Sequence, residues 1–238
     1  MIPGRYVKLQ KYLIMNKRIK YITEKLRIDC PNFECPDVGQ TPLEIVHTLE
    51  KIRRRRPKII LEIGSARGGF IYLLSAALGN SGTTFITIDP YITGSKYEKQ
   101  FYTYEDTINK LRHFYLKNNY LHIRRKSTSK KAREDLKEYL GNRKVDFLFI
   151  DGDHTCKSVL NDWKNYNYFL DKNGLAAFHD IIAYEEVNKA WKKIILGQNI
   201  YQHEECKKKG VPLLTFVDNK DKKKFGQSMI LGVGYLYK

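Results

Sequence analysis

From Lys58 onward the chain alternates short apolar runs with segments whose apolar residues recur at helical spacing. The runs are Ile59 to Ile63, Thr84 to Ile88, Leu121 to Arg124, Val145 to Ile150, Leu175 to Phe178, Leu213 to Val217 and Met229 to Leu236. This is the order expected when helices cover a mostly parallel sheet. Between the runs, Phe70, Leu73, Leu74, Ala77 and Leu78 share one helical face; so do Val159, Trp163, Tyr166 and Leu170, and again Val187, Ala190, Trp191 and Ile194. The last two runs follow a helix read over Tyr184 to Leu196. They are joined through the charged turn Asp218 to Lys224, which predicts an antiparallel pair at one edge.

The first 57 residues read differently. Tyr6, Leu9 and Leu13 stand at helical spacing and predict a helix over residues 1 to about 28. A turn-rich stretch, Asp29 to Gln40 with Pro31, Pro36 and Gly39, separates it from a better-marked helix. Thr41-Pro42-Leu43-Glu44 is a capping box with proline at the first helical position, and Ile45 or Val46, Leu49 and Ile52 supply one apolar face. Pro57 ends it. The expected organisation is an N-terminal helical extension, residues 1–57, followed by one α/β domain, residues 58–238.

Composition narrows the class. At 238 residues, 42% hydrophobic and 29% charged, the chain can build a packed core and is not a disordered, collagen-like or disulfide-framed sequence. No apolar run approaches the ~18 residues of a membrane-spanning helix, and Lys and Arg are scattered through the first 27 residues, so the expected address is the cytoplasm. Cys30, Cys35, Cys156 and Cys206 form no paired CxxC units and read as reduced thiols; Cys30 and Cys35 with His47 make only a weak metal pattern. Lys plus Arg number 43 against 26 Asp plus Glu, a formal charge of +17. The excess lies in short clusters: Arg53 to Arg56, Arg124 to Lys126, Lys130 and Lys131, Lys207 to Lys209, and Lys222 to Lys224. Such a basic protein can draw nucleic acid, phosphates or anionic lipid by its summed potential, or simply carry a solvated face.

The segment Ile59-Ile-Leu-Glu-Ile-Gly64-Ser-Ala-Arg-Gly68-Gly69-Phe70 is a strand, a tight turn of small residues and the start of a helix. Its glycines let the backbone approach a ligand closely, and the helix that follows offers unpaired N–H groups. Asp89, at the end of the next strand, can accept hydrogen bonds from two ribose hydroxyls. Dehydrogenases and methyltransferases share these features, so the later strand ends decide.

Glu62-Ile-Gly64-Ser-Ala-Arg-Gly68-Gly69 resembles motif I of class I S-adenosylmethionine-dependent methyltransferases. Val145-Asp-Phe-Leu-Phe-Ile-Asp151-Gly-Asp-His154, then Asp162-Trp163, then Asn173-Gly174-Leu-Ala-Ala-Phe-His179-Asp180, is similar to the branch described as methyltransferase domain 24, related to macrolide-sugar O-methyltransferases and the cephalosporin hydroxylase family. The resemblance covers about Lys58 to Tyr237. It implies a Rossmann-like seven-stranded α/β methyltransferase sheet with an antiparallel edge hairpin behind the helical extension. It also implies S-adenosylmethionine held by Glu62, Gly64, Ser65 and Gly68 at its amino-acid part, Asp89 at its ribose and Ser127 near its adenine, with Asp151 close by. Two positions depart from the family pattern: Ala66 replaces the usual middle glycine, and Cys156 replaces the tyrosine common after the Asp-His element.

Asp151, His154, His179 and Asp180 belong to the ends of the fourth and fifth strands, which are neighbours in such a sheet, and should converge at its carboxyl edge. Methyl transfer to a hydroxyl needs the oxygen in line with the sulfonium and relieved of its proton. The resemblance implies Asp151, His179 and Asp180 as ligands of a divalent metal such as magnesium, with His154 as base and Asp151 and Asp180 beside it in catalysis. A histidine ligand shifts the preference toward a transition ion or toward no metal. The implied function is O-methylation of a small-molecule or sugar hydroxyl. An RNA or nucleotide methyltransferase, and a nonenzymatic nucleic-acid-binding protein on the same scaffold, stay open as alternatives, as does a homo-oligomer.

Overall fold

In a computed structural model, the structure describes residues 20–27, 40–90, 103–197, 214–216 and 232–238. A helical segment α1 spans residues 20–26. The elements that follow are α2 (Pro42–Arg55), β1 (Ile59–Ile63), α3 (Gly69–Leu78), β2 (Thr84–Ile88), α4 (Tyr104–Phe114), β3 (Asn119–Ile123), α5 (Lys130–Leu140), β4 (Val145–Ile150), α6 (Cys156–Tyr166), β5 (Leu170–Phe178), α7 (Glu185–Gly197), β6 (Leu214–Phe216) and β7 (Val233–Tyr237). The strands form one sheet in the order β3-β2-β1-β4-β5-β7-β6. Pairing is parallel from β3 through β5, and β7 runs antiparallel to both β5 and β6. β1 and β2 are buried along their whole length, which explains why they read as unbroken apolar runs.

Two hydrophobic clusters flank the sheet. One joins Ile22 and Leu26 of α1, Ile45, Leu49 and Ile52 of α2, and the inner faces of α3 and α4 to Ile60, Phe85, Phe147 and Tyr235. The other packs α5, α6 and α7 on Leu61, Ile63, Ile86, Leu148, Ile150 and Phe178. Alternate residues of β1 thus face opposite layers. The capping box at Thr41 and Glu44 is present, and α2 lies in the main core.

Two boundaries differ from the sequence pattern. Leu170, read as the end of a helical face, begins β5. The helix stops sooner because Asn167 caps it, its Nδ2 donating to the Trp163 carbonyl at 2.8 Å before a 3-10 turn over Asn167–Phe169. β5 is correspondingly longer than the run from Leu175. Val145 pairs with Leu170 but Phe147 with Leu175, so the exposed residues 172 and 173 belong to a register irregularity that no apolar pattern could mark. Several expectations lie outside the described residues: the helix over 1–19, Cys30, Cys35 and Cys206, the Asp218 to Lys224 turn, and the lysine clusters at 207–209 and 222–224.

Candidate active site

A cleft of about 740 Å³ opens at the carboxyl edge of β1, β2, β4 and β5. The turn after β1 forms its floor. Gly64 has φ +86°, and a Cβ there would stand 2.1 Å from the Asp151 carbonyl oxygen, so only glycine lets these two strand ends pass. Ala66 also takes a positive φ, 45°, a conformation costly for a side chain and natural for the glycine it replaces. Its N–H donates to Asp89 Oδ2 at 3.0 Å, so Asp89 shapes the turn as well as lining the cleft.

Glu62, Thr87 and His122 lie side by side on three neighbouring strands. Thr87 Oγ1 shares hydrogen bonds with the Tyr104 hydroxyl and, at 2.9 Å, with His122 Nδ1. Glu62 is 1% exposed, and burial, with the nearby Asp151 and Asp89, pushes its carboxyl well above the ordinary range. Glu62 Oε2 and Ser65 Oγ are buried without hydrogen-bond partners although both residues line the cleft, as expected of donors and acceptors kept for a ligand. Gly68 caps the N-terminus of α3. Ser127 borders the far end of the cleft, its carbonyl accepting from the Tyr166 hydroxyl at 2.7 Å. Behind it Asp162 is buried, with Oδ1 unpartnered; burial pushes its carboxyl up to about 6 against the pull of a Ser127 hydrogen bond.

The strand ends bring Asp151, His154, His179 and Asp180 together. His179 is 4% exposed, with Nδ1 3.1 Å from Asp151 Oδ1 and 3.3 Å from Asp180 Oδ1, and Nε2 3.6 Å from Glu44 Oε2. Burial opposes its charge, but Asp151, Asp180 and Glu44 outweigh burial and hold its pKa well above the usual histidine value. His154 is at the rim, its side chain 40% exposed, with Nε2 2.9 Å from Asp180 Oδ2 and its ring stacked on Tyr184 at 4.1 Å between centroids. The Asp180 hydrogen bond raises its pKa. Burial works against ionisation of Asp180, yet hydrogen bonds from His154 and His179 keep its carboxyl far below the ordinary range. Asp180 itself has φ +60°, tolerated by an acidic residue, which aims its carboxylate between the two histidines. Asp151, His154 and Asp180 each offer a ligand atom, all within 4.8 Å of one another.

Two cleft contacts escaped the sequence reading. Gln40 Nε2 donates to Asp151 Oδ2, and Glu44, read only as a helix cap, faces His179. No local signal could reveal either, because 111 residues separate Gln40 from Asp151.

Parallel strands, a glycine turn and a cleft at the carboxyl edge define a Rossmann-like α/β fold with a ligand site of the kind such sheets carry. Comparison with known proteins carries this further: a family model described as a methyltransferase domain matches residues 61–181, and the chain belongs to that family of S-adenosylmethionine-dependent methyltransferases. An uncharacterized protein of Acanthamoeba polyphaga mimivirus is 28% identical over 190 residues, spanning 77% of this chain and 76% of that protein. Among solved structures, an O-methyltransferase from Bacillus cereus in complex with SAH aligns with a TM-score of 0.56 and 12% identity, covering 94% of this chain and 90% of the other. The O-methyltransferase TomG from Streptomyces achromogenes, involved in tomaymycin synthesis and in complex with SAM, gives a TM-score of 0.54 and 12% identity over 92% and 87% of the two chains. At such identities the likeness is one of fold.

Proposed function

We propose that the protein transfers a methyl group from S-adenosylmethionine to a hydroxyl of a small molecule or sugar, with a divalent ion held by Asp151, His154 and Asp180. The observation that carries this reading is the meeting of those three side chains in the same cleft as the orphaned Glu62 and Ser65 oxygens. The two solved structures compared above, which share the fold, are O-methyltransferases by name, which supports transfer to oxygen. The chain's own groups suit the cofactor: Glu62, Gly64 and Ser65 around its amino-acid part, Asp89 accepting from its ribose hydroxyls, and Ser127 beside its adenine, while Gly68 packs toward Tyr104 outside the cleft lining and would serve as the cap of α3. When bound, the cofactor supplies a methyl group on a sulfonium, and a divalent ion supplies Lewis acidity toward the acceptor hydroxyl.

Two carboxylates and an imidazole suit manganese or another transition ion better than magnesium, which favours oxygen ligands. The geometry favours His154 over His179 as the third ligand, since both nitrogens of the buried His179 ring face carboxylates. A second reading rests on the 2.9 Å contact between His154 and Asp180: His154, oriented by that carboxylate, takes the acceptor proton as general base without an ion.

Transfer of radiolabelled methyl from S-adenosylmethionine to a panel of hydroxylated small molecules, sugars and short RNA tests the proposal. Label should enter a small hydroxylated acceptor, cease with chelator, return with manganese and be lost in Asp180→Asn. Indifference to chelator with loss in His154→Ala supports the general base instead. Normal turnover in both variants removes the cluster from the reaction centre.

A further inference from the structure

Glu44 is a carboxylate with an unusual setting. In a capping box the acidic side chain ordinarily stays in water, as Asp106 does in the equivalent box of α4, where it is exposed. Glu44 is 1% exposed. Its Oε2 accepts from the Thr41 N–H at 3.0 Å and stands 3.6 Å from His179 Nε2, while Oε1 accepts from the Gly232 N–H just before β7. A helix cap alone does not require burying a charge, which is costly without a compensating partner. Among the described residues, Glu44 forms an ion pair with His179.

His179 in turn touches both carboxylates of the candidate centre. Its Nδ1 lies within 3.3 Å of Asp151 Oδ1 and of Asp180 Oδ1. The remaining oxygens are held from other directions: Asp151 Oδ2 by Gln40 Nε2, and Asp180 Oδ2 by His154 Nε2. A ring rotated by half a turn about its Cβ–Cγ bond would turn carbon atoms toward the aspartates. On the other side of the ring, buried Nε2 makes no hydrogen bond and faces the Glu44 carboxylate at 3.6 Å, within reach of a charge pair that favours the same orientation.

We propose that Glu44, outside the matched domain of residues 61–181, is a positioning residue: through His179 it sets the spacing and orientation of the Asp151 and Asp180 carboxylates. Residues 40–44 thereby belong to the site rather than to an accessory extension. The inference rests on the proposed role of the two aspartates, deepens it, and assigns Glu44 no contact with substrate. Its anchors on Thr41 and on Gly232, just before β7, make the carboxylate a fixed strut between α2, the β7 entry and the cleft.

The test uses the full chain saturated with S-adenosylhomocysteine. Glu44→Gln keeps the shape of the side chain and an acceptor oxygen but removes its charge. Thr41→Ala removes the other half of the capping box without touching His179. Two readouts are taken on each: the ring nitrogen and proton NMR signals of His179, assigned by their loss in His179→Gln, and the calorimetric affinity for manganese alone. Glu44→Gln should shift the His179 signals and weaken manganese binding by about 10-fold, the usual effect of removing a group that orients ligands, with S-adenosylhomocysteine affinity unchanged. Thr41→Ala should lower the melting temperature while leaving the His179 signals in place. Unchanged His179 signals in Glu44→Gln, or equal shifts in both variants, would overturn the proposal and return Glu44 to helix capping. If the wild-type chain binds no manganese, the metal reading fails by itself and the His179 signals alone decide the role of Glu44.

Discussion

At the scale of single residues, the cleft depends on backbone positions as much as on side chains. Gly64 cannot carry a Cβ, since its φ is +86° and the Asp151 carbonyl would be 2.1 Å away. Gly64→Ala should therefore cost at least about 2 kcal/mol in chemical denaturation, combining positive-φ strain with a backbone clash. An unchanged midpoint would mean that the β1 and β4 ends do not cross this closely. Asp162 makes an electrostatic prediction. Its folded-state pKa, pushed up to about 6, means that the folded chain binds the proton more tightly than the unfolded chain does. Stability contributed by the neutral acid is then lost as pH rises from about 4 to about 6 and stays lost above, a difference on the order of 3 kcal/mol. Asp162→Asn cannot ionise, so its stability relative to wild type should improve from about pH 4 to about pH 8 in thermal denaturation. A gap independent of pH would show that Asp162 titrates normally.

Among the elements, those with strong local signals were legible and those defined by distant partners were not. The capping box Thr41 to Glu44 and the stop at Pro57 marked α2, because local chemistry sets helix ends. β1, β2 and β4 announced themselves as apolar runs because both of their faces are covered. The first five residues of β5 gave no such signal: residues 172 and 173 are exposed in the irregular register against β4. The position of α2 in the fold was hidden too. Leu49 is fully buried in the cluster that includes Phe147 and Tyr235, and Thr48 Oγ1 shares a 2.5 Å hydrogen bond with the Tyr235 hydroxyl. Leu49→Ala should accordingly destabilise the whole protein by about 3 kcal/mol, as for other fully buried leucines, with one cooperative transition. A separate early transition would instead mark α2 as an independently melting appendage. In the site, the strand-end residues were legible because strands 4 and 5 are neighbours, which places Asp151 beside His179 and Asp180. The different settings of His154 and His179 were not, since burial of one ring and exposure of the other depend on α2 and Tyr184.

For the whole molecule, the charge of +17 looked like the strongest hint of a polyanionic partner, yet part of it is employed within the fold. Arg53 donates to the Leu26 carbonyl at 2.6 Å and Arg55 to that of Asn173, while Lys130, Lys131 and Arg125 pair with Glu134 and Asp135. With a small-molecule acceptor, as proposed, the protein should bind short RNA only weakly, with association lost by about 0.15 M salt; tight binding persisting there in a filter assay would favour a nucleic-acid acceptor. No helix among the described residues is long and apolar enough to cross a membrane. Occupation of the cleft above β1 and β2 by S-adenosylmethionine is tested most directly by calorimetric titration of S-adenosylhomocysteine into the wild-type chain and into Asp89→Asn. The asparagine keeps an acceptor for the Ala66 N–H and removes the carboxylate proposed to accept from the ribose. The wild-type chain should bind one equivalent, and the variant about 10-fold or more weaker, the loss expected for charge-assisted hydrogen bonds. Absence of binding by the wild-type chain, or equal affinity in the two proteins, would contradict the assignment of this cleft to the cofactor.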